Sequence, residues 1–426
     1  MIEFSSRRGF IRRTAALLGG IALHQDVFAA FNISAPPAGA NVSAGNDDDF
    51  WRQIRLAYGA SPTLINLNNG GVSPAPRATM DALDYYNRMC NEAPSYYMWR
   101  VLDQDREPLR ESLAILGGAE TDEVAINRNA TEALNSIIFG LDFQPGDEVV
   151  LSKYDYPNMI HAWKQREKRD GIKLVWVDLE LPSEDEEYMV QAFTSKFTAK
   201  TRLVHVTHLI NWCGQILPVR AIADRAHERG IEVLVDGAHS FALIDYKIPE
   251  LGGDYWGTSL HKWLCGPFGS GMMWIKKDKI PKVWPLLSNG EPDGKDIRKF
   301  ESLGTRSFPI EMAIGYSLDL HNLIGTKRKQ DRLFYLKNYW VEQVKNIPKV
   351  KIQTSLHPRW GCAIATLGIE GKKGSEISDQ LYSKFKIHTT GIEWEKVSGV
   401  RVTPNVYTTT EDLDKLVRAI HSIANT

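Results

Sequence analysis

Paired cysteines are missing from this sequence. Its four cysteines, Cys90, Cys213, Cys265 and Cys362, lie far apart, with no CxxC and no short His/Cys spacing. Neither a zinc site nor a disulfide scaffold is indicated, and buried free thiols are the expectation. Charge of one sign is also lacking. The formal net charge is −1 and the basic residues are scattered, which leaves no electrostatic footprint for nucleic acid or anionic lipid and points to a small-molecule partner. Long hydrophobic runs are absent as well. The apolar stretch Ala15–Leu23 is too short to cross a bilayer at about 1.5 Å rise per residue, so no stable membrane association is expected. No Gly-x-Ser-x-Gly elbow occurs, which removes the hydrolase reading of the scattered Ser, His and Asp residues.

What is present begins with an address. Ser6-Arg7-Arg8-Gly9-Phe10-Ile11 precedes the short apolar run, and Val27-Phe28-Ala29 offers a cleavage site. The pattern resembles a twin-arginine export signal over residues 1–30, which implies the twin-arginine export machinery as a partner and a periplasmic or secreted protein. That route carries folded cargo, which suits a protein that must fold around a cytoplasmic cofactor. Residues 31–47, rich in Ala, Pro, Gly, Asn and Ser, read as a flexible tether, so folded structure is expected from Asp48.

The remainder is long enough for more than one domain, with 43% hydrophobic and 24% charged residues and no internal repeat. Short apolar runs alternate with amphipathic stretches: Glu123–Ile126 then a helix from Thr131, Glu148–Leu151 then a helix near Met159, Lys173–Val177, Arg202–Val206 and Ile231–Val235. Such alternation predicts an α/β fold with a mainly parallel sheet. The helix Ile222–Arg229 ends at Gly230, and a buried strand follows at once with Asp236 at its carboxyl edge, where open α/β sheets bind ligands. After about residue 320 a charged helix (Lys327–Ile347), strands near Val350–Ile352 and Gly361–Leu367, and a final helix from Glu411 predict a smaller α+β domain. The expected division is 48–75 as a segment packing with the small domain, 76–315 as the large domain and 316–426 as the small one.

Four requirements of pyridoxal-phosphate chemistry have candidates here: an amine for the aldehyde, an acid for the ring nitrogen, a phosphate cup and a flat surface for the ring. Lys262 lies in Gly257-Thr-Ser-Leu-His-Lys-Trp-Leu-Cys-Gly-Pro-Phe-Gly-Ser-Gly271. Apolar neighbours there would strip hydration from its amine, lower its pKa and favour Schiff-base formation. A surface lysine at a strand end is the bland alternative. Asp236, in Val235-Asp236-Gly237-Ala238-His239, could keep a pyridine nitrogen protonated, or merely cap a turn. Asn129-Ala130-Thr131 follows a strand and opens a helix, which suits either a phosphate or an ordinary N-cap. Tyr156 could stack on one ring face with Ala238 on the other, or serve the core.

Asp-Gly-Ala-His at 236–239 and His-Lys-Trp-Leu-Cys-Gly-Pro at 261–267 resemble the class V aminotransferase family of fold-type I pyridoxal-phosphate enzymes, most nearly its isopenicillin N epimerase-like branch. The likeness spans most of residues 65–420. It implies a large domain with a seven-stranded, mainly parallel sheet, a small C-terminal domain and pyridoxal 5′-phosphate as cofactor. It further implies that Ser259 and His261 help hold the phosphate, that His239 and Asn211 lie at the ring oxygen, and that Tyr156 is the stacking aromatic. Gly304-Thr305 would reach the phosphate of a neighbouring subunit, making a homodimer, and Arg401 would grip the substrate carboxylate; a surface arginine at a strand edge is the alternative.

The reaction is narrowed rather than named. A cysteine desulfurase needs a nucleophilic thiol on a loop shortly before the carboxylate arginine, yet His388–Val400 contains no cysteine. The expectation is an enzyme acting at the Cα of an amino acid through Lys262, epimerase-like or aminotransferase. A desulfurase or lyase, and a secreted binding protein of the same fold without catalysis, stand as alternatives.

Overall fold

The computed structural model describes residues 31, 33 and 48–425, so the export signal lies outside the described residues. Of the expected tether only Phe31 and Ile33 are described. Both are buried in the main core, at 7% and 4% exposure, so at these two positions the chain packs instead of hanging free. Among the described residues no helix is long and apolar enough to cross a membrane.

The short Val/Ile/Leu runs form the strands of one seven-stranded sheet: β2 (Val124–Asn127), β3 (Glu148–Ser152), β4 (Lys173–Val177), β5 (Thr201–Thr207), β6 (Glu232–Asp236), β7 (Tyr255–Ser259) and β8 (Gly271–Ile275). Their spatial order is β2-β8-β7-β6-β5-β3-β4, and only the pairings that involve β8 are antiparallel. Near-continuous apolar strands belong in a sheet covered on both faces. Helices Ala130–Gly140, Pro157–Asp170 and Val219–His227 supply cover and crossovers. Val233, Leu234 and Val235 of β6 have no exposure. At roughly 1.5–3 kcal/mol for each fully buried apolar side chain, this run offsets the cost of placing Asp236, only 4% exposed, at its end. Gly230 lies at φ +68° and the amide of Ile231 returns to the Ala226 carbonyl, the expected left-handed helix stop.

The smaller unit is an antiparallel sheet, ordered β12-β13-β10-β9, of β9 (Val350–Ile352), β10 (Ala365–Ile369), β12 (Thr390–Trp394) and β13 (Val397–Val402). Helices Thr326–Val344, Gly374–Phe385 and Thr410–Ala424 pack with it. The segment before the large sheet joins in, since β1 (Ile65–Asn66) pairs in parallel with β11 (Ile387–His388). The strand expected across Gly361–Leu367 starts only at Ala365. Its first residues form a turn in which the amides of Trp360 and Gly361 both reach the His357 carbonyl, and a Cβ on Gly361 would lie 2.1 Å from the Ser355 carbonyl.

Candidate active site

The carboxyl ends of β2, β3, β5, β6 and β7 emerge on one edge of the large sheet and meet in a cavity of about 260 Å³. It is lined by Asn129, Ala130 and Thr131 after β2, Tyr156 after β3, Thr207 at the end of β5 and Asn211 after it, Asp236, Ala238 and His239 of β6 and its turn, and Ser259 at the end of β7 with His261 and Lys262 after it. Every residue anticipated for the cavity except Thr305 and Arg401 is therefore on its wall.

Lys262 is held by the architecture of its loop. The Leu260 amide donates to Ser270, Gly266 returns to Leu260 and Cys265 to Lys262. The ammonium of Lys329 donates to the Trp263 carbonyl from behind, and the Ser73 amide donates to His261. At the far end of the loop Gly271 has no Cβ because one would lie 2.6 Å from the Asn129 backbone. That contact brings the start of helix Ala130–Gly140 against the lysine loop. The Ala130 amide donates to Ser259 Oγ (2.9 Å) and the Glu132 amide to Asn129 Oδ1 (2.9 Å). The helix start is thus capped while Ser259 keeps its proton for another acceptor.

Lys262 Nζ lies 3.0 Å from His239 Nε2 and 5.8 Å from the centre of the Tyr156 ring. Burial lowers its amine to about 8 against the opposing pull of Asp236. His239 is driven well below the usual imidazole range by burial and by the charges of Lys262 and Arg401, and His261 is lowered to about 4, again chiefly by burial. Both imidazoles are therefore neutral. Asp236 accepts from the Ala238 amide (2.9 Å), and burial raises its carboxyl.

Arg401 comes from β13 of the smaller unit. It is 6% exposed, donates from Nη1 to the Asn211 carbonyl (3.1 Å) and from Nη2 to Asn68 Oδ1 (3.2 Å), and leaves Nε without a partner. Burial lowers even this guanidinium to about 10. Among the described residues no carboxylate pairs with it, a costly arrangement unless an anion arrives. Thr305, by contrast, is exposed and lines a separate cleft of about 270 Å³ with Arg128 and Gly269. It does not reach the lysine of its own chain.

Several residues of the site escaped the sequence reading. Asp155, fully buried, accepts from Thr207 Oγ1 (2.6 Å) and from the Ser152 amide (2.8 Å), and burial raises its carboxyl to about 7. It anchors the turn that carries Tyr156. Trp212 and Trp394 stack at 4.8 Å, and their indole N–H groups hold the carbonyls of Tyr154 and Lys153. Gly71 and Val72 close one wall of the cavity. The acid directly before Tyr156 was visible in the sequence. The tryptophans and Asn68 carry no local signal, because their roles arise from contacts across 182 and 333 positions.

The family model described as aminotransferase class-V matches residues 65–416. The chain belongs to that family. Among its class V relatives, an isopenicillin N epimerase of Streptomyces clavuligerus is 27% identical over 391 residues, covering 88% of this chain and 98% of that protein. A cysteine desulfurase of Haloferax volcanii is 26% identical over 400 residues, covering 84% and 88%. Among solved structures, the cystine C–S lyase C-DES has a TM-score of 0.76 at 21% identity, covering 84% of this chain and 98% of its own. A cysteine desulfurase of Escherichia coli has a TM-score of 0.77 at 19% identity, covering 88% and 98%. At these identities the structures bear on the fold, and the fold is that of the class V enzymes.

Pyridoxal phosphate is the cofactor of this class V protein, and the residues present fit it. His239 Nδ1 and His261 Nδ1 are buried on the cavity wall without a hydrogen-bond partner, which calls for a polar guest. Lys262 would hold the aldehyde, and Asp236 the ring nitrogen. Ser259, His261 and the turn 129–131 would hold the phosphate, with Tyr156 and Ala238 at the ring faces. An amine titrating at about 8 must lose its proton before it can attack an aldehyde. Capture of pyridoxal phosphate by the apoprotein should therefore rise with pH through about 8 and then level off, about two units below an ordinary lysine. Asp236→Asn should move that inflection lower, because the acid raises the amine. Rapid-mixing absorbance across pH measures both, and an inflection near 10 would refute the burial argument.

Proposed function

We propose that this protein acts at the Cα of an amino acid, as an isopenicillin N epimerase-like or aminotransferase enzyme. The observation that carries the reading is Arg401, a buried guanidinium with no carboxylate partner among the described residues, close enough to Lys262 for its charge to lower the lysine amine. A planar donor set in that state suits an α-carboxylate bound by parallel hydrogen bonds.

The bound cofactor supplies an aldehyde and an electron-withdrawing ring. The chain supplies the rest. Arg401 orients the substrate by its carboxylate, with Asn68 and Asn211 fixing the guanidinium plane. Lys262 Nζ, poised near neutral pH, takes the Cα proton and gives it back. Neutral His239 at 3.0 Å accepts or donates one hydrogen bond to that amine without competing for its charge. Delivery of a proton to the opposite face of Cα, by water or a second donor, inverts the centre, whereas transfer of the nitrogen to a keto acid is transamination. Incubation in deuterated water separates them. Deuterium incorporation with inversion at Cα and no keto acid supports the epimerase-like reading, formation of a new amino acid from an added keto acid supports the transaminase, and no exchange under either condition defeats both.

The relatives named cysteine desulfurases, 25–30% identical, support a second reading. Against it, all four cysteines are buried. Burial pushes the Cys362 thiol up to about 12, and its sulfur accepts from the Ile364 amide, the opposite of a poised nucleophile. Sulfide released from cysteine, and lost in Cys362→Ser, would favour that reading.

We further propose twin-arginine export, from the signal-like residues, and a homodimer. The dimer rests on exposed Thr305 and on the exposed apolar side chains of Trp284, Leu286 and Leu287, the last two sharing a cleft with Asn129 and Thr131. The N-terminal sequence of protein recovered outside the cytoplasm and its mass in solution test these two.

A further inference from the structure

Beside the cavity lies a larger cleft of about 550 Å³, and the two share the wall Gly71–Val72. A line of side chains leads from one to the other. Arg401 Nη2 donates to Asn68 Oδ1, and Asn68 Nδ2 lies 3.4 Å from His388 Nε2 in the cleft. The walls are mixed, with Pro62, Leu64 and Val72 apolar and Asn66, Asn68 and His388 polar.

The charges of the cleft are unequal. Arg55 and Asp412 neutralise each other at 2.6 Å, and Arg55 also donates to the Tyr407 carbonyl. Lys415 stands one helical turn after Asp412 and would pair with it at i,i+3, but Asp412 is already taken. Among the described residues Lys415, exposed at the cleft, has no carboxylate partner. The cleft therefore offers one unmatched ammonium, with an imidazole on the path toward the carboxylate-binding arginine. A space of this size exceeds what a compact side chain such as that of cysteine fills.

We propose that the cleft is the side-chain subsite, and that the substrate is an amino acid whose extended side chain ends in an anionic group received by Lys415. This rests on the reading that Lys262 and Arg401 bind an amino acid. Arg401 takes the α-carboxylate, the side chain runs past Asn68 and Val72, and its far end meets Lys415.

The test uses the pyridoxal-phosphate-loaded protein and follows cofactor absorbance during titration with α-aminopimelate, a dicarboxylic chain, and with norleucine, an uncharged one. The wild type should bind α-aminopimelate more tightly, by up to about fivefold, the worth of one exposed ion pair. Lys415→Glu should abolish or invert that preference while leaving norleucine binding and the absorbance before titration unchanged, and Lys415→Arg should keep it. Equal affinities in the wild type, or a preference that survives Lys415→Glu, overturns the subsite alone. If neither amino acid alters the spectrum of the wild type, the amino-acid reading fails and the subsite with it.

Discussion

Lys262→Ala is expected to lower turnover by about 10⁴-fold or more, because one side chain serves both as covalent anchor and as proton carrier. The variant should also lose the borohydride-fixed pyridoxyl label on the peptide spanning residues 257–271 and much of its yellow colour. Folding should survive. Among the described residues the amine touches only His239 by a hydrogen bond and the Tyr156 ring by a cation–π contact, and its removal relieves a desolvated charge instead of opening a core cavity. Small added amines should restore a fraction of the rate, since the void at Nζ lies on the cavity wall. Activity within tenfold of the wild type, or a wild-type label found on a peptide other than 257–271, would remove Lys262 from the chemistry and with it the proposed reaction.

The part of this site that could be read from sequence is the part built from neighbours in the chain. Asp236 to Gly271 runs from the end of β6 through β7 to the start of β8, so the acid, the small residues after it and the lysine are brought to one edge by strand register: Asp236 pairs with Gly257 on one side and Thr207 on the other. Strand-then-helix alternation set the large sheet for the same reason, since each hydrophobic run needs only its own period. Long-range placement was harder to read. Arg401 was expected as a carboxylate ligand only by resemblance. What would suit it to that role emerges only in the structure, namely burial with Nε unpaired and a plane fixed by Asn68 and Asn211 from two other segments. Asp155 went unread because an acid in a turn is most often exposed. Here its contact with Thr207 depends on β3 and β5 lying side by side. The strand start at Ala365 was missed because apolar Cys362, Ala363 and Ile364 read as strand, yet they pack into the main core.

Arg401→Met separates binding from folding. In the intact protein the guanidinium is desolvated and paired with no carboxylate among the described residues, so its charge is a burden on the free fold. Methionine fills similar volume without that charge, but leaves the Asn211 carbonyl and Asn68 Oδ1 without their donor, at about 1–3 kcal/mol for a buried group. The two terms oppose each other, and the melting temperature should shift by no more than a few degrees. Binding has no such compensation. A substrate carboxylate would enter a site stripped of its charge and its parallel donors, a loss of about 2–5 kcal/mol, which is a fall of roughly thirtyfold to several thousandfold in kcat/KM. Because the interaction grips the α-carboxylate equally before and during proton transfer, most of the loss should lie in KM, with kcat changed far less. Arg401→Lys should recover little, since a single ammonium cannot make two coplanar bonds. A variant that unfolds would mean that Arg401 holds the two units of the chain together, and one that loses kcat with KM unchanged would mean that it acts on the transition state and does not grip the bound carboxylate.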